Sequence, residues 1–279
     1  MNEFILKIFS DQSLIYALLA SFLACIASST IGSYVVIKKI SSITGSISHS
    51  ILGGIGIILY LNYKYNLSYN PIWGAFIFAF LAALILGFMH IKYRQKEDAI
   101  IAAIWSTGMG IGVIFISYLP TPSADFIHFL FGDIFSLTKT SLYTLSIFDI
   151  LILGSIFLFY KKFLLISLDE ESAKLQKINI NIFYFFLLTL ISLSIVVLVQ
   201  MVGIVLLIAI LTIPPSIANI FKKKLSSVML LSLFLSLLFF ILGIFISYKS
   251  FLPSGAVIAI ICSIFYLLVI ILKKKTLTS

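Results

Sequence analysis

Long uninterrupted runs of apolar residues dominate the chain, and short polar or basic segments separate them. The runs cover residues 14–37, 46–61, 71–91, 99–118, 140–160, 181–221, 226–247 and 253–272. Because a helix needs about 20 apolar residues to cross a bilayer, each run predicts a transmembrane helix, and the longest could hold two. The runs lack the in–out alternation of a membrane β-barrel. The pattern predicts an all-α integral membrane protein with eight or nine transmembrane helices.

Composition supports a chain whose main solvent is lipid. Apolar residues make up 61% of the 279 residues and charged residues only 10%, and the mean hydropathy is +1.20. Soluble domains do not have this balance. No hydrophilic stretch is long enough to form its own core, so we predict a single polytopic transmembrane domain over residues 1–279. Phosphate-loop, nucleophile-elbow and zinc-helix motifs are absent, so the common hydrolytic signatures offer no candidate site.

The basic residues indicate topology rather than nucleic-acid binding. The net charge is +9, and fifteen of the nineteen Lys and Arg residues fall in five clusters outside the apolar runs, at residues 38–39, 92–96, 161–177, 222–224 and 273–275. Basic residues collect on the cytoplasmic side of membrane proteins, so these clusters and the C-terminus should lie inside. Nine crossings would place the N-terminus outside, although a re-entrant half-helix around Gln200 and Gly203 would change the count.

A polar stripe within residues 41–56 is the first candidate for function. On a helix its small and polar residues share one face, whereas Ile43, Ile47 and Ile51 lie on the others. The stripe consists of Ser42, Gly45, Ser46, His49, Gly53 and Gly56. A neutral imidazole is a common ligand for transition metals, and the glycines allow close helix packing. His49 is therefore the first candidate for an ion pathway, and a histidine that only bonds between helices is the alternative.

This stripe resembles the second span of permease subunits in the zinc/manganese class of ABC importers. The pattern of that class is Gly-Asp, three residues, His and then small residues. With His49 aligned, the acidic position falls on Gly45 and the preceding glycine on Thr44. Ser46, Ser48 or a carboxylate from another helix would then replace the acid. Asp149 is one such carboxylate, because it lies mid-span, although the family pattern has an apolar residue there.

Four later segments follow the same family pattern in order. They are residues 123–138 with Leu-Phe-Gly-Asp, 167–180 with acids before Ala, 202–224 with Val-Gly and Ile-Pro, and 247–268 with Pro-x-Gly. Departures occur at Lys177, where Gly is usual, and at Pro215 and Asn219, where Ala and Arg are common. The order and spacing together identify the chain as similar to this family across nearly its whole length.

Two segments are candidates for coupling to an ATPase. Pro214 lacks an N–H and disfavours helical geometry before it, which predicts a break and a short surface helix from Ser216 to Lys224. By resemblance, Pro214, Pro215, Ser216 and Asn219 would dock the ATPase; the alternative is a kinked span ending at its basic edge. The second candidate carries Asp169, Glu170 and Glu171 before Lys174 and Lys177, which predicts a short surface helix.

The resemblance implies a homodimeric permease of importer type in the cytoplasmic membrane, with the translocation path between the copies. A cytoplasmic ATP-binding subunit and an extracytoplasmic metal-binding protein would be its partners. The cargo would be zinc or manganese, or iron, with no tightly bound cofactor. Alternatives are a permease for a siderophore or cobalamin chelate, an intramembrane hydrolase that uses His49 and a serine, and a scaffold without transport.

Overall fold

The structure is a computed structural model that describes residues 12–92, 97–120, 124–250 and 252–278, and the regular secondary structure in these ranges is helical. In chain order the helices are α1 (Gln12–Ile37), α2 (Ser41–Tyr65), α3 (Ile72–Lys92), α4 (Glu97–Ser117), α5 (Ala124–Phe131), α6 (Lys139–Leu168), α7 (Glu170–Leu175), α8 (Ile180–Phe221), α9 (Leu225–Ser250) and α10 (Ser254–Thr278). Within those ranges eight helices are long and apolar enough to span a membrane, namely α1 to α4, α6 and α8 to α10. The predicted all-α membrane fold is confirmed.

The longest helix is interrupted at a glycine. α8 has 42 residues, and at 1.5 Å per residue a straight helix would be about 63 Å long, roughly twice the hydrocarbon thickness. Its one non-helical residue is Gly203, with φ of 71° and ψ of 167°. Residues with a Cβ rarely adopt this conformation, whereas glycine adopts it readily. The glycine therefore divides α8 into two segments, each long enough to cross a bilayer.

Both ends of α8 lie on the same side of the molecule. Near its start, the Tyr184 ring lies 5.2 Å from Nζ of Lys38 at the end of α1. Near its end, the Ile220 carbonyl accepts a hydrogen bond of 3.1 Å from Lys273 at the end of α10. These contacts place basic clusters at one end of the bundle, as the sequence predicts. Arg94 and Lys96 of another cluster are outside the described residues.

The break in α8 lies at the other end of the bundle. There Gly203 packs against Gly132, which follows α5, and Gly255 at the start of α10 packs against the Val202 carbonyl. The backbones are so close that a Cβ on any of the three glycines would overlap a neighbouring backbone atom. α8 thus crosses the membrane twice. Within the described residues, eight helices that are long and apolar enough to span, one of them crossing twice, are consistent with nine crossings.

The two adjacent prolines do not interrupt α8. The helix continues through Pro214 and Pro215 to Phe221, so the predicted break and the separate surface helix from Ser216 to Lys224 are wrong. Pro215 lacks the N–H that would bond the Leu211 carbonyl, and this carbonyl instead packs directly on Gly32 of α1. Neighbouring helices can accommodate a proline in a membrane helix in this way.

The first half of α8 and the facing side of α2 form much of the buried centre. α8 packs on α1, α2, α3, α6, α9 and α10, and Ile43, Ile47 and Ile51 of α2 are fully buried. The isoleucine face of α2 thus lies against protein, and its polar face packs chiefly on α4. α4 and α10 expose most of their surface.

Candidate functional site

The polar face of α2 is used largely to pack against α4. The Ser46 hydroxyl donates to the Ile101 carbonyl at 3.0 Å, and the Ser48 hydroxyl donates to the Thr44 carbonyl one turn earlier at 2.8 Å. Both serines are fully buried. Their hydroxyl protons are therefore committed to backbone carbonyls, and only oxygen lone pairs remain for another partner.

Glycines bring α2 and α4 close together. A Cβ on Gly53 would lie 2.9 Å from the Gly108 carbonyl oxygen, and one on Gly56 would lie 2.7 Å from the Gly112 carbonyl oxygen. Neither position can accept a side chain without separating the helices. Small residues serve such close approach in membrane helices. This contact fixes the rotation of α2 and with it the direction of His49.

His49 lies at the edge of this interface and is half-buried. Its ring stacks on Trp105 of α4, with a centroid distance of 4.3 Å and an interplanar angle of 15°. Nδ1 is buried and has no hydrogen-bond partner. Gly45, one turn earlier, is covered by the same indole, because its Cβ would lie 3.1 Å from Trp105 Cζ3. Trp105 was not apparent from sequence, since no motif includes it.

Asp149 lies inside α6 with a relative exposure of 3%. Neither carboxylate oxygen has a hydrogen-bond partner. α6 packs mainly on α1, α7 and α8, whereas His49 lies between α2 and α4. The structure therefore places the two candidate pathway residues on different helix interfaces. An unpaired carboxylate at this depth is costly and needs a functional or structural reason.

The acidic segment after α6 forms the predicted short surface helix. Asp169 caps α7 by accepting hydrogen bonds from the backbone N–H groups of Glu171 and Ser172. Hydrogen bonds from the Ser172 side chain and backbone, with a smaller one from the Glu171 backbone, lower the pKa of Asp169. The carboxylate is then ionised at neutral pH, as an N-terminal cap requires. Asp169 and Glu171 are exposed, so this end of α7 is open to a partner.

Lys38 links α7 to the transmembrane helices. Its Nζ donates to the Ile166 carbonyl at 2.7 Å and lies 3.0 Å from Glu170 Oε1. Its side chain is only 8% exposed. Tyr184, over which Nζ lies, stacks in turn on His90 at the end of α3 with a centroid distance of 4.5 Å. From sequence Lys38 was counted only as a topological charge, because its partners are more than a hundred residues away.

The proline segment contributes differently from the sequence expectation. Pro214 and Pro215 are buried, and Pro215 packs on Gly32 of α1. Ser216 is half-buried and Asn219 is exposed near the end of α8. Of these four candidate coupling residues, only Ser216 and Asn219 present surface toward the basic end of the bundle.

Cavities occur at both ends of the bundle. A cavity of about 270 Å³ at the basic end is lined by residues of α3, α7 and α8, among them His90 and Glu170. A larger cleft of about 950 Å³ at the opposite end has a rim of polar side chains that includes Asn70, Thr138 and Gln200. In the described part of the chain, no group of three or more His, Cys, Asp or Glu side chains could hold a metal ion.

Comparisons with known proteins agree along nearly the whole chain. The sequence profile of the ABC 3 transport family matches residues 10–273. A probable metal transport system membrane protein of Chlamydia pneumoniae is 41% identical over 92% of this chain and 88% of its own. The manganese transport system membrane protein MntC of Listeria innocua is 31% identical over 93% of this chain and 90% of its own.

Two solved structures are similar to this fold. PsaBC from Streptococcus pneumoniae, in complex with Fab, has a TM-score of 0.83 with 28% sequence identity, and the match covers 96% of this chain and 94% of that one. A putative metal-chelate type ABC transporter in an inward-facing conformation has a TM-score of 0.73 with 16% identity, covering 95% and 87%. At that identity the second likeness shows the fold alone.

Proposed function

This chain belongs to the ABC 3 transport family, and on that premise we propose that its cargo is Mn²⁺ and that His49 lines the ion's path. The chain is a multi-pass membrane permease of an ABC importer for a divalent metal, and it is not itself an enzyme. Relatives named for manganese transport cover more than nine-tenths of the chain. The metal-ion function is thereby favoured over the chelate alternative.

His49 is the residue that best fits an ion path, and its surroundings support the proposal. The imidazole is half-buried at the α2–α4 edge and makes no hydrogen bond through Nδ1. An imidazole suits Zn²⁺ and oxygen ligands suit Mn²⁺, so a site with one imidazole and several oxygens could take either divalent metal. The relatives' names favour manganese between the two. Roles for Ser46 and Ser48 as oxygen ligands stay predictions, since both hydroxyls bond to backbone carbonyls here.

Asp149 is proposed as a second point along the path. Its unpartnered carboxylate supports this role, because a buried anion attracts a cation strongly where water is excluded. It does not contact His49 in this conformation, so it would act at a different stage of transport. It therefore does not replace the missing acid beside His49 in the state described.

The proposed partners follow from the family. A separate ATPase would dock at the basic end, where Asp169 and Glu171 of the α7 segment and Asn219 of α8 are exposed. A metal-binding protein would deliver the ion to the opposite end, and a second copy of the chain would complete the path. ATP binding and hydrolysis would then alternate the access between the two sides.

The test is metal uptake by the assembled transporter in proteoliposomes. His49→Ala is expected to lower Mn²⁺ uptake by about tenfold or more, the scale on which changes around a metal ligand alter affinity. His128→Gln is the matched control, because His128 bonds to the Ser136 hydroxyl at the outer end. Uptake by His49→Ala equal to that of the unmodified chain would remove His49 from the path. Equal or greater uptake of Zn²⁺ than of Mn²⁺ would overturn the choice of manganese.

A further inference from the structure

One indole covers two positions on the polar face of α2. Gly45 and His49 are four residues apart, so they lie one above the other on the same helix face. Trp105 stacks on the His49 ring at 4.3 Å and lies across Gly45, whose Cβ would come within 3.1 Å of Cζ3 and 3.5 Å of Cη2. The glycine leaves the space that the indole fills, and a side chain there would displace the indole from its present position.

The stack determines which nitrogen of His49 can meet an ion. A parallel ring at this distance restricts rotation of the imidazole about its side-chain bonds. In that orientation Nδ1 is buried without a partner, so Nε2 is the nitrogen left to face an ion. Ligation through Nε2 requires the proton to reside on Nδ1. Metal-binding histidines are usually oriented by a hydrogen bond to the second nitrogen, and His49 has none.

We propose that Trp105 is the positioning residue of the ion path, holding the His49 imidazole by stacking so that Nε2 faces the ion. This inference rests on the proposed role of His49. Gly45 contributes to this arrangement, because it is small enough to leave room for the Trp105 indole beside His49. The arrangement supplies orientation without a fixed negative charge next to the ion, so the ion is held weakly and can move on.

The first experiment compares ring and non-ring replacements of Trp105 in Mn²⁺ uptake. Trp105→Leu is expected to raise the KM for Mn²⁺ about two- to tenfold, which is the range an aromatic contact contributes. Trp105→Phe keeps a ring and should restore part of that loss. Trp73→Leu is the matched control, because Trp73 is an exposed tryptophan of α3, 62% accessible. An equal KM for the Leu and Phe variants, or no change in either, would overturn the inference.

A double-mutant cycle tests the geometry directly. Gly45→Ala should raise KM in the unmodified chain, because the added methyl displaces the indole and disturbs its stack on His49. In the Trp105→Leu background the same change should have a much smaller effect, since the stack is already lost. Equal effects of Gly45→Ala in both backgrounds would show that the indole does not transmit the change.

A spectroscopic measurement separates this inference from the proposed function. In a Trp73→Phe background, Trp105 is the one remaining tryptophan, and Mn²⁺ bound at Nε2 should change its fluorescence saturably. His49→Ala should abolish the saturable change. If His49 proves essential for uptake, but Mn²⁺ does not change Trp105 fluorescence and Trp105→Leu does not change KM, only the positioning role of Trp105 fails. If His49→Ala transports normally, the proposed path itself fails.

Discussion

At the scale of single residues, the polar groups inside the membrane differ in how they are satisfied. Most serines of α1 and α2 donate to a carbonyl one turn earlier, as Ser33 does to Ser29 and Ser48 does to Thr44. Such residues add polarity at little cost, because their hydroxyl is already bonded. His49 and Asp149 are different, since each retains a buried atom without a partner. Unsatisfied groups of this kind are maintained at functional sites at a cost in stability.

This cost gives a prediction for Asp149. Asp149→Leu should raise the free energy of unfolding by about 1–3 kcal/mol, because it removes a buried carboxylate that has no partner. The same variant, and Asp149→Asn, should lose metal uptake. Thermal unfolding in detergent and proteoliposome uptake measure the two effects.

Ser232→Ala is the control for Asp149. Ser232 of α9 is also buried with an unpartnered hydroxyl, and its replacement should leave uptake unchanged. Normal uptake by Asp149→Asn would end the proposal that the carboxylate lies on the ion's route, whatever its effect on stability.

At the scale of elements, Lys38 links α7 to the transmembrane bundle, in addition to the packing of α7 on α6 and α8. Nζ of Lys38 donates to the Ile166 carbonyl in the last turn of α6 and to Glu170 of α7, so one ammonium group bonds to both elements. Lys38 directly follows α1, which ends at Ile37, and lies three residues before the start of α2. A displacement of α7 by a docked ATPase would therefore reach the helix that carries His49 by a short route. The bonds of Lys38 join α7 and α6, and the short segment that follows Lys38 joins them to α2.

Removal of this ammonium should uncouple ATP hydrolysis from transport. Lys38→Met keeps the length of the side chain but loses the bonds to Ile166 and Glu170. We expect the ATPase to remain bound and active while Mn²⁺ uptake per ATP falls. The measurement is the ratio of uptake to phosphate release in the same proteoliposomes.

The neighbouring lysine provides the control for this variant. Lys39 is exposed, so Lys39→Met should leave the uptake ratio unchanged. An unaltered ratio in Lys38→Met would show that the contact with α7 does not carry the coupling.

At the scale of the whole molecule, the position of His49 restricts how two copies could meet. The residue lies at the α2–α4 edge, and most of α4 is exposed in the single chain. If two copies form a central path lined by His49, this edge must face the twofold axis. The exposed face of α4 carries small residues, among them Ala103, Ser106 and Thr107, which allow close helix approach.

A cysteine pair tests this arrangement. Ser106→Cys should form a disulfide between two copies under mild oxidation in the membrane, because α4 would face its own copy. Ser263→Cys on α10 is a matched control, since both serines are exposed and bond to the carbonyl one turn earlier. The native thiols of Cys25 and Cys262 are buried and should not interfere. A cross-link at residue 263 but not at residue 106 would place the dimer contact elsewhere.

The sequence by itself determined the helical membrane fold, the approximate ends of the spans and the family. These properties depend on local composition, because lipid imposes a fixed span length and requires each backbone group to bond within its own helix. The sequence also marked His49 as a candidate, since an imidazole on a small polar helix face is unusual in a span, and its role in transport stays a prediction.

Only the tertiary structure decided how α8 reverses and what surrounds His49 and Lys38. Gly203 rather than Pro214 interrupts α8, because Gly132 and Gly255 pack against it from parts of the chain distant in sequence. The helix continues through the prolines, because Gly32 of α1 leaves space for the Leu211 carbonyl that Pro215 cannot bond. The Trp105 stack and the Lys38 bonds likewise join residues far apart in sequence. Such contacts depend on which faces of the helices meet. Helices that are apolar on nearly every side carry no sequence pattern that specifies those faces.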